Sequence, residues 1–206
     1  MSRREPSSTR LARILFHDRP PRHPLATIVV DGQSRPVGGA QLVILHRGRV
    51  LLQFRPWPPG WELPGGHCEP GEHPGVTARR EAEEETGHSV RVLGLVGVYT
   101  WEGLRSAGDA VFLGEITGGR SRRSIEAWSV RFFSPDQLPR TIFPWCRERI
   151  GDAVACSQGA APFHRVQPVT MRHVMSFGTS WLQTPVDALM RRRRRCPPSS
   201  SWAPWC

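Results

Sequence analysis

The sequence predicts an α/β domain in which a mixed β-sheet is sandwiched between helices. Three observations carry that expectation. Apolar runs of strand length stand on both sides of one helical segment, a second helical segment follows them, and the span from about 36 to 156 is long enough to bury one core. Composition agrees. With 38% hydrophobic and 22% charged residues among 206, the chain reads as globular rather than disordered throughout, collagen-like or coiled-coil. No stretch approaches the roughly 18 consecutive apolar residues of a membrane-spanning helix, so no membrane partner is expected.

From Gly38 the elements follow in order. Gln41–Leu45 and Val50–Phe54 are apolar runs joined by His46–Arg49, with Gly48 in the turn, and predict a hairpin of two half-buried strands. Pro56, Pro58, Pro59 and Gly60 predict a loop that leaves Trp57 and Trp61 exposed. The loop runs into Leu63-Pro64-Gly65-Gly66, a backbone that must turn sharply. His73–Thr86 predicts a helix, with Pro74 in its first turn and Gly87 at its C-cap. Val90–Thr100, Ala110–Thr117 and Ile125–Phe133 predict three more strands, with a turn at Gly118–Gly119. Pro135–Leu138 predicts a helical turn, and Pro144–Ala155 a closing helix with Trp145, Ile150 and Val154 inward.

The formal net charge is +10, and all 28 basic residues are Arg. A charge of that size points first to nucleic acid, but its distribution decides otherwise. Residues 1–35 hold 7 Arg against 3 acidic residues and residues 157–206 hold 7 against 1, whereas residues 36–156 hold 14 of each. The chain therefore divides into a basic N-terminal extension (1–35), a neutral folded domain (36–156) and an Arg/Pro/Ser-rich C-terminal extension (157–206). The last part, Arg191–Cys206, has the composition of a disordered tail. Arg191–Arg195 is the candidate contact for nucleic acid, and a solvated tail is the favoured reading. The first 35 residues lack the apolar core of a secretory signal, so no export is expected. Five scattered Cys without a C-x-x-C pair indicate neither a disulfide framework nor a zinc site, and fit a reducing cytoplasm.

The chemistry concentrates in the central helix. Glu81, Glu84 and Glu85 stand at i, i+3 and i+4 and share one face, where like charges repel. Hard divalent cations bound by carboxylate oxygens relieve such a cluster, and Mg2+ or Mn2+ suits the donor set. Gly65–Gly66 can bring backbone carbonyls to the same cation. Arg80 can pair with Glu72 or Glu84 and orient the carboxylates. His67 and Cys68 lie in the same loop but are not favoured as ligands, because the donors that suit this cation are oxygens.

Gly66, Glu72, Arg80, Glu81, Glu84, Glu85 and Gly87 together reproduce the pattern G-x5-E-x7-R-E-U-x-E-E-x-G-U, and on it the chain resembles the Nudix hydrolase family. At average residue frequencies a chance match anywhere in the chain is about one in a million or rarer. The lead-in Trp61-Glu62-Leu63-Pro64 is also similar to the family's approach to this box. Ala82 is smaller than the usual aliphatic, and His88 replaces the final aliphatic; both are packing positions. The resemblance spans about residues 36–156 and implies the Nudix fold. It implies a metal-dependent pyrophosphohydrolase that cleaves a nucleoside diphosphate linked to another moiety, such as a nucleoside triphosphate or an ADP-sugar. By their place in the box, Glu81, Glu84, Glu85 and the Gly65 carbonyl are expected to hold the metal. Glu81, Glu84, Arg80 and Glu72 are expected to carry catalysis, with Glu72 and Arg80 holding loop to helix. Arg55, Trp57, Trp61, Tyr99 and Glu126 are candidates for contacting substrate, and Trp101 for stacking on it. Two alternatives are a catalytically weak nucleotide-binding regulatory module and a hydrolase tethered to nucleic acid through its Arg-rich tail. The sequence leaves a homodimer open.

Overall fold

The computed structural model describes residues 25–56, 59–101, 107–121 and 129–168. Five strands come first: β1 (Ala26–Val30), β2 (Gln33–His46), β3 (Arg49–Pro56), β4 (Pro59–Glu62) and β5 (Gly65–His67). Helix α1 (Pro74–Thr86) follows, then β6 (His88–Trp101), β7 (Gly108–Gly119) and β8 (Ser129–Phe133). A 3₁₀ turn at Pro135–Gln137, helix α2 (Pro144–Ser157) and β9 (Phe163–Gln167) complete the described residues.

Two tight turns start the sheet. Asp31 and Gly32 both adopt positive φ (53° and 70°), as do Arg47 and Gly48 (51° and 72°). Two-residue turns of this hand match the twist of the strands they join, so β1 pairs antiparallel with β2, and β2 with β3. The long strand β2 is the spine. It also carries β5 antiparallel and β7 parallel, while β6 lies antiparallel to β7 and β9 parallel to β6. Strands β4 and β8 flank β3 on its two sides.

The pleat of β2 sends successive side chains to opposite faces. Leu42 and Ile44 pack in one buried cluster with Ala78 and Ala82 of α1, and Val43 in another with Trp145, Cys146 and Ile150 of α2. The mixed sheet is therefore covered by α1 on one face and α2 on the other, the sandwich expected from the sequence. Among the described residues, no helix is long and apolar enough to cross a membrane.

Several expectations are refined. The hairpin turn, the central helix with its αL C-cap at Gly87 (φ 76°), the strands through Thr100 and Thr117 and the closing helix all form. Pro59–Glu62 is not loop but strand β4. Trp61, expected exposed, is 2% exposed and packs edge-on against Phe54 and Phe133. Once β4 pairs with β3, its Trp turns under the sheet, where its large apolar ring is best removed from water. Val154 is only half-buried. The inward stripe of α2 instead runs Trp145, Cys146, Arg149, Ile150 and Ala153. Only Ser129–Phe133 of the strand expected over Ile125–Phe133 falls among the described residues.

The sheet also reaches past both ends of the 36–156 span. Ile28 and Val30 of β1 belong to the core beside α1, and β9 extends the sheet beyond β6. If residues 26–30 are part of the core, Ile28→Ala should lower unfolding free energy by about 2–3 kcal/mol, the usual cost of truncating a buried aliphatic. Urea denaturation reads this directly. A cost near zero would mean that β1 is a loosely attached extension.

Candidate active site

Two segments make the site, and β2 positions one of them. Pairing of Gly39, Ala40 and Gln41 with His67, Gly66 and Gly65 lays β5 flat across the spine. Helix α1 then returns over it. Its start is fixed by His73, whose Nδ1 accepts the Gly75 N–H at 3.1 Å, and by Pro74 in the first turn.

The contact between α1 and β5 is close enough to exclude side chains on the strand. A Cβ at Gly66 would lie 2.5 Å from Glu81 Oε1, and one at Gly65 would lie 2.3 Å from the Ala40 carbonyl oxygen. Only glycine fits at Gly65, where backbone is met at φ 154°, whereas a Cβ at Gly66 would displace the Glu81 carboxylate. The Gly65 N–H donates to Glu85 Oε2 at 2.9 Å. Two carboxylates, one helical turn apart, thus lie against two consecutive residues of β5.

The charges around them are unequal. Arg80 donates through Nε and Nη2 to the two Glu72 oxygens at 3.1 Å each, and through Nη1 to Glu81 Oε1 at 2.9 Å. Its Nη1 also stands 3.6 Å from Glu84 Oε2. One guanidinium therefore offsets charge on three carboxylates. Glu72 accepts in addition from Thr77 Oγ1 and the Glu69 N–H. The Arg80 hydrogen bonds hold its carboxyl down to about 2, helped by Thr77 and Glu69 and opposed by partial burial. This anchored pair ties the loop before α1 to the helix, as expected of Glu72 and Arg80.

Glu85 is in a different situation. Burial pushes its carboxyl up to about 8, with Glu62 and Glu81 adding repulsion, and the Gln53 amide and Gly65 N–H pulling the other way. A carboxylate with proton affinity raised by burial gains by exchanging the proton for a divalent cation. The donors nearby are oxygens, which fits Mg2+ or Mn2+ and not a softer metal. Among the described residues, no three His, Cys, Asp or Glu side chains already converge as a finished cage. Glu81 is turned towards Arg80, and Glu84 is 62% exposed.

Sequence reasoning missed one polar layer beneath this site. Gln53 on β3, 1% exposed, stands opposite Glu62 on β4 and hydrogen bonds to the carboxylates of both Glu62 and Glu85. Burial raises the Glu62 carboxyl, partly offset by Arg55, which contacts it at 3.2 Å. The available signal was a lone Gln inside the apolar run Val50–Phe54.

The remaining candidates are placed as follows. Arg55 is half exposed and engaged with Glu62. Trp61 and Tyr99 are core side chains. Tyr99 is fully buried, and its hydroxyl donates to Asp152 of α2 at 2.8 Å. Trp101 packs edge-on against Trp145. Cys68 is buried and His67 exposed, and neither takes part in the hydrogen bonds around Glu81 and Glu85. Trp57, Glu126 and Arg191–Arg195 lie outside the described residues.

Residues 36–151 match the family described as NUDIX domain. A Bacillus subtilis (strain 168) protein described as a candidate 8-oxo-dGTP diphosphatase is 34% identical over 116 residues, covering 55% of this chain and 77% of that one. A MutT-like protein of Streptomyces ambofaciens is 36% identical over 131 residues, covering 63% and 81% respectively. Among solved structures, a NUDIX hydrolase from Nitrosomonas europaea superposes with a TM-score of 0.57 at 20% identity, over 71% of this chain and 95% of that one.

The Glu72–Arg80 anchor makes a pH prediction. Because the Glu72 carboxyl lies below its ordinary 4.5 in the fold, it adds stability above pH 4.5 that is lost as pH falls towards 2. Glu72→Gln should cost about 1–3 kcal/mol at neutral pH, the usual worth of a hydrogen bond to a charged group. It should also flatten the acid loss across that window. Urea unfolding at a series of pH values measures both, and parallel curves for variant and wild type would contradict the assignment.

Proposed function

The chain belongs to the NUDIX domain family of hydrolases, and from that premise we propose that it is a divalent-cation-dependent pyrophosphohydrolase. Its substrate is a nucleoside diphosphate linked to another moiety, with a nucleoside triphosphate or an ADP-sugar as representatives. The observation that carries this reading is the placement of Glu81 and Glu85 against Gly65–Gly66, with Glu84 on the same helix face.

Glu81, Glu84, Glu85 and the Gly65 carbonyl would hold Mg2+ or Mn2+. When bound, the cation supplies Lewis acidity and charge neutralisation for the phosphate oxygens. The chain's own residues do the rest. Arg80 draws the Glu81 and Glu84 carboxylates towards one place, and Glu72 holds Arg80. Gln53 and the Gly65 N–H orient Glu85, so its carboxylate does not have to be recruited from solvent. The absence of a Cβ at Gly66 brings the β5 backbone to the Glu81 carboxylate.

Glu85→Gln is expected to reduce turnover by about a thousandfold, on the scale of removing one preorganised charge-stabilising group. It should leave thermal unfolding close to wild type, since a buried neutral amide replaces a carboxyl disfavoured by burial. The measurement is nucleoside monophosphate release from a panel of nucleoside triphosphates, ADP-sugars and dinucleoside polyphosphates, with Mg2+ and with chelator. Turnover that survives the chelator, or a fully active variant, would overturn the proposal.

A further inference from the structure

We propose that β9 is a working part of the catalytic centre, and that its Gln167 is a positioning residue acting through Arg149. The inference rests on the reading of Glu81, Glu85 and Gly65–Gly66 as that centre. The family match ends at residue 151, so β9 lies beyond it.

Arg149 is a guanidinium with 1% exposure inside the domain. Its Nη1 donates to Gln41 Oε1 at 2.5 Å, and its Nη2 donates to Asp109 Oδ2 and to Gln167 Oε1, each at 3.1 Å. The guanidinium lies 5.0 Å from the Tyr99 ring centre. Gln167, 4% exposed, is itself fixed by its Nε2, which donates to Glu148 Oε2 at 2.7 Å.

Two of these acceptors stand directly under the two glycines of β5. Gln41 is the register partner of Gly65, and a Cβ on Gly65 would lie 2.7 Å from the Gln41 Cα. Asp109 sits opposite Gly39, where an added Cβ would meet Asp109 Oδ1 at 2.9 Å and the Gly66 carbonyl oxygen at 3.2 Å. Arg149 therefore braces the strands that carry both Gly65 and Gly66, and the Gly65 N–H bonds to Glu85. A guanidinium is planar and its donors point in fixed directions, so a third acceptor sets the plane in which it meets the other two. Gln167 is that third acceptor. Removing its oxygen lets the fork turn about the remaining bonds, and the shift passes through Gln41 to Gly65 and Glu85.

A purely structural role for β9 is separable from this one. Main-chain pairing of β9 with β6 and the Arg165–Asp152 ion pair hold the strand in place without the Gln167 oxygen. The test compares the full chain with Gln167→Met, which keeps the length without the acceptor, and with Gln167→Glu, which restores an oxygen towards Arg149. Glu148 has side-chain exposure of 46% and can swing into water away from the new carboxylate. The readouts are kcat and KM on whichever nucleotide the wild type turns over, and hydrogen–deuterium exchange over residues 62–68. Gln167→Met should lower kcat about tenfold while KM stays within about twofold, as expected when a reacting group is slightly misplaced. It should also speed exchange in 62–68 and leave α1 unchanged, and Gln167→Glu should recover both. Unchanged kcat and exchange in Gln167→Met would overturn the proposal. So would faster exchange spread over the whole chain that Gln167→Glu does not recover. Should the wild type turn over no nucleotide, the functional reading falls. The exchange over 62–68 then still decides whether Gln167 braces β5, and no change there overturns it.

Discussion

Glu81 and Glu85 stand one helical turn apart, where like charges repel, yet both lie against consecutive glycines of a single short strand. Holding them there is the constraint around which the domain is arranged. The chain meets it asymmetrically. Arg80 shares its charge among Glu72, Glu81 and Glu84, while Glu85 is turned inward and raised by burial, with only neutral donors, Gln53 and the Gly65 N–H, to support it. One guanidinium against three carboxylates leaves the helix side with an acidic excess, and the buried Glu85 and Glu62 add to it on the sheet side. Such an arrangement favours a hard cation among oxygens over a proton.

The sheet is what allows the close approach. Strand β2 pairs with β5 near its middle and with β3 at its end, so the glycines of β5 and the Gln53 layer are both fixed to one strand. Opposite faces of that strand bury α1 and α2 separately. A core residue on the α2 side therefore reaches the site only through the sheet. Arg149 does so with polar side chains, through Gln41 and Asp109.

The helix and its carboxylates were legible because their signals are local. Pro74, Gly87 and the spacing of Glu72, Arg80, Glu81 and Glu85 need no tertiary partner to be recognised, and the glycine turn announces itself by composition. What escaped depends on pairing across the chain. Trp61 looked exposed beside four Pro and Gly residues, until β4 pairs with β3 and turns the ring inward. The first strand is masked in the sequence by the Arg excess of residues 1–35, although Asp31-Gly32 between Ala26–Val30 and Gln33–Val37 is a strong hairpin signal. Strand β9 has no local signal that separates it from the basic tail; its place comes from β6 and from the polar groups of α2. Gln53 was visible only as one polar residue in an apolar run.

The fold supplies the reach and the rigidity; in the proposed function, a divalent cation is the element on which the chemistry turns. Titration of Mn2+ followed by electron paramagnetic resonance, with the full chain and with the double substitution Glu81→Gln/Glu85→Gln, tests that claim most directly. The account predicts saturable loss of the free Mn2+ signal with the wild type, reversal by excess Mg2+, and no comparable binding by the double variant. Equal Mn2+ binding by the wild type and the double variant would contradict it.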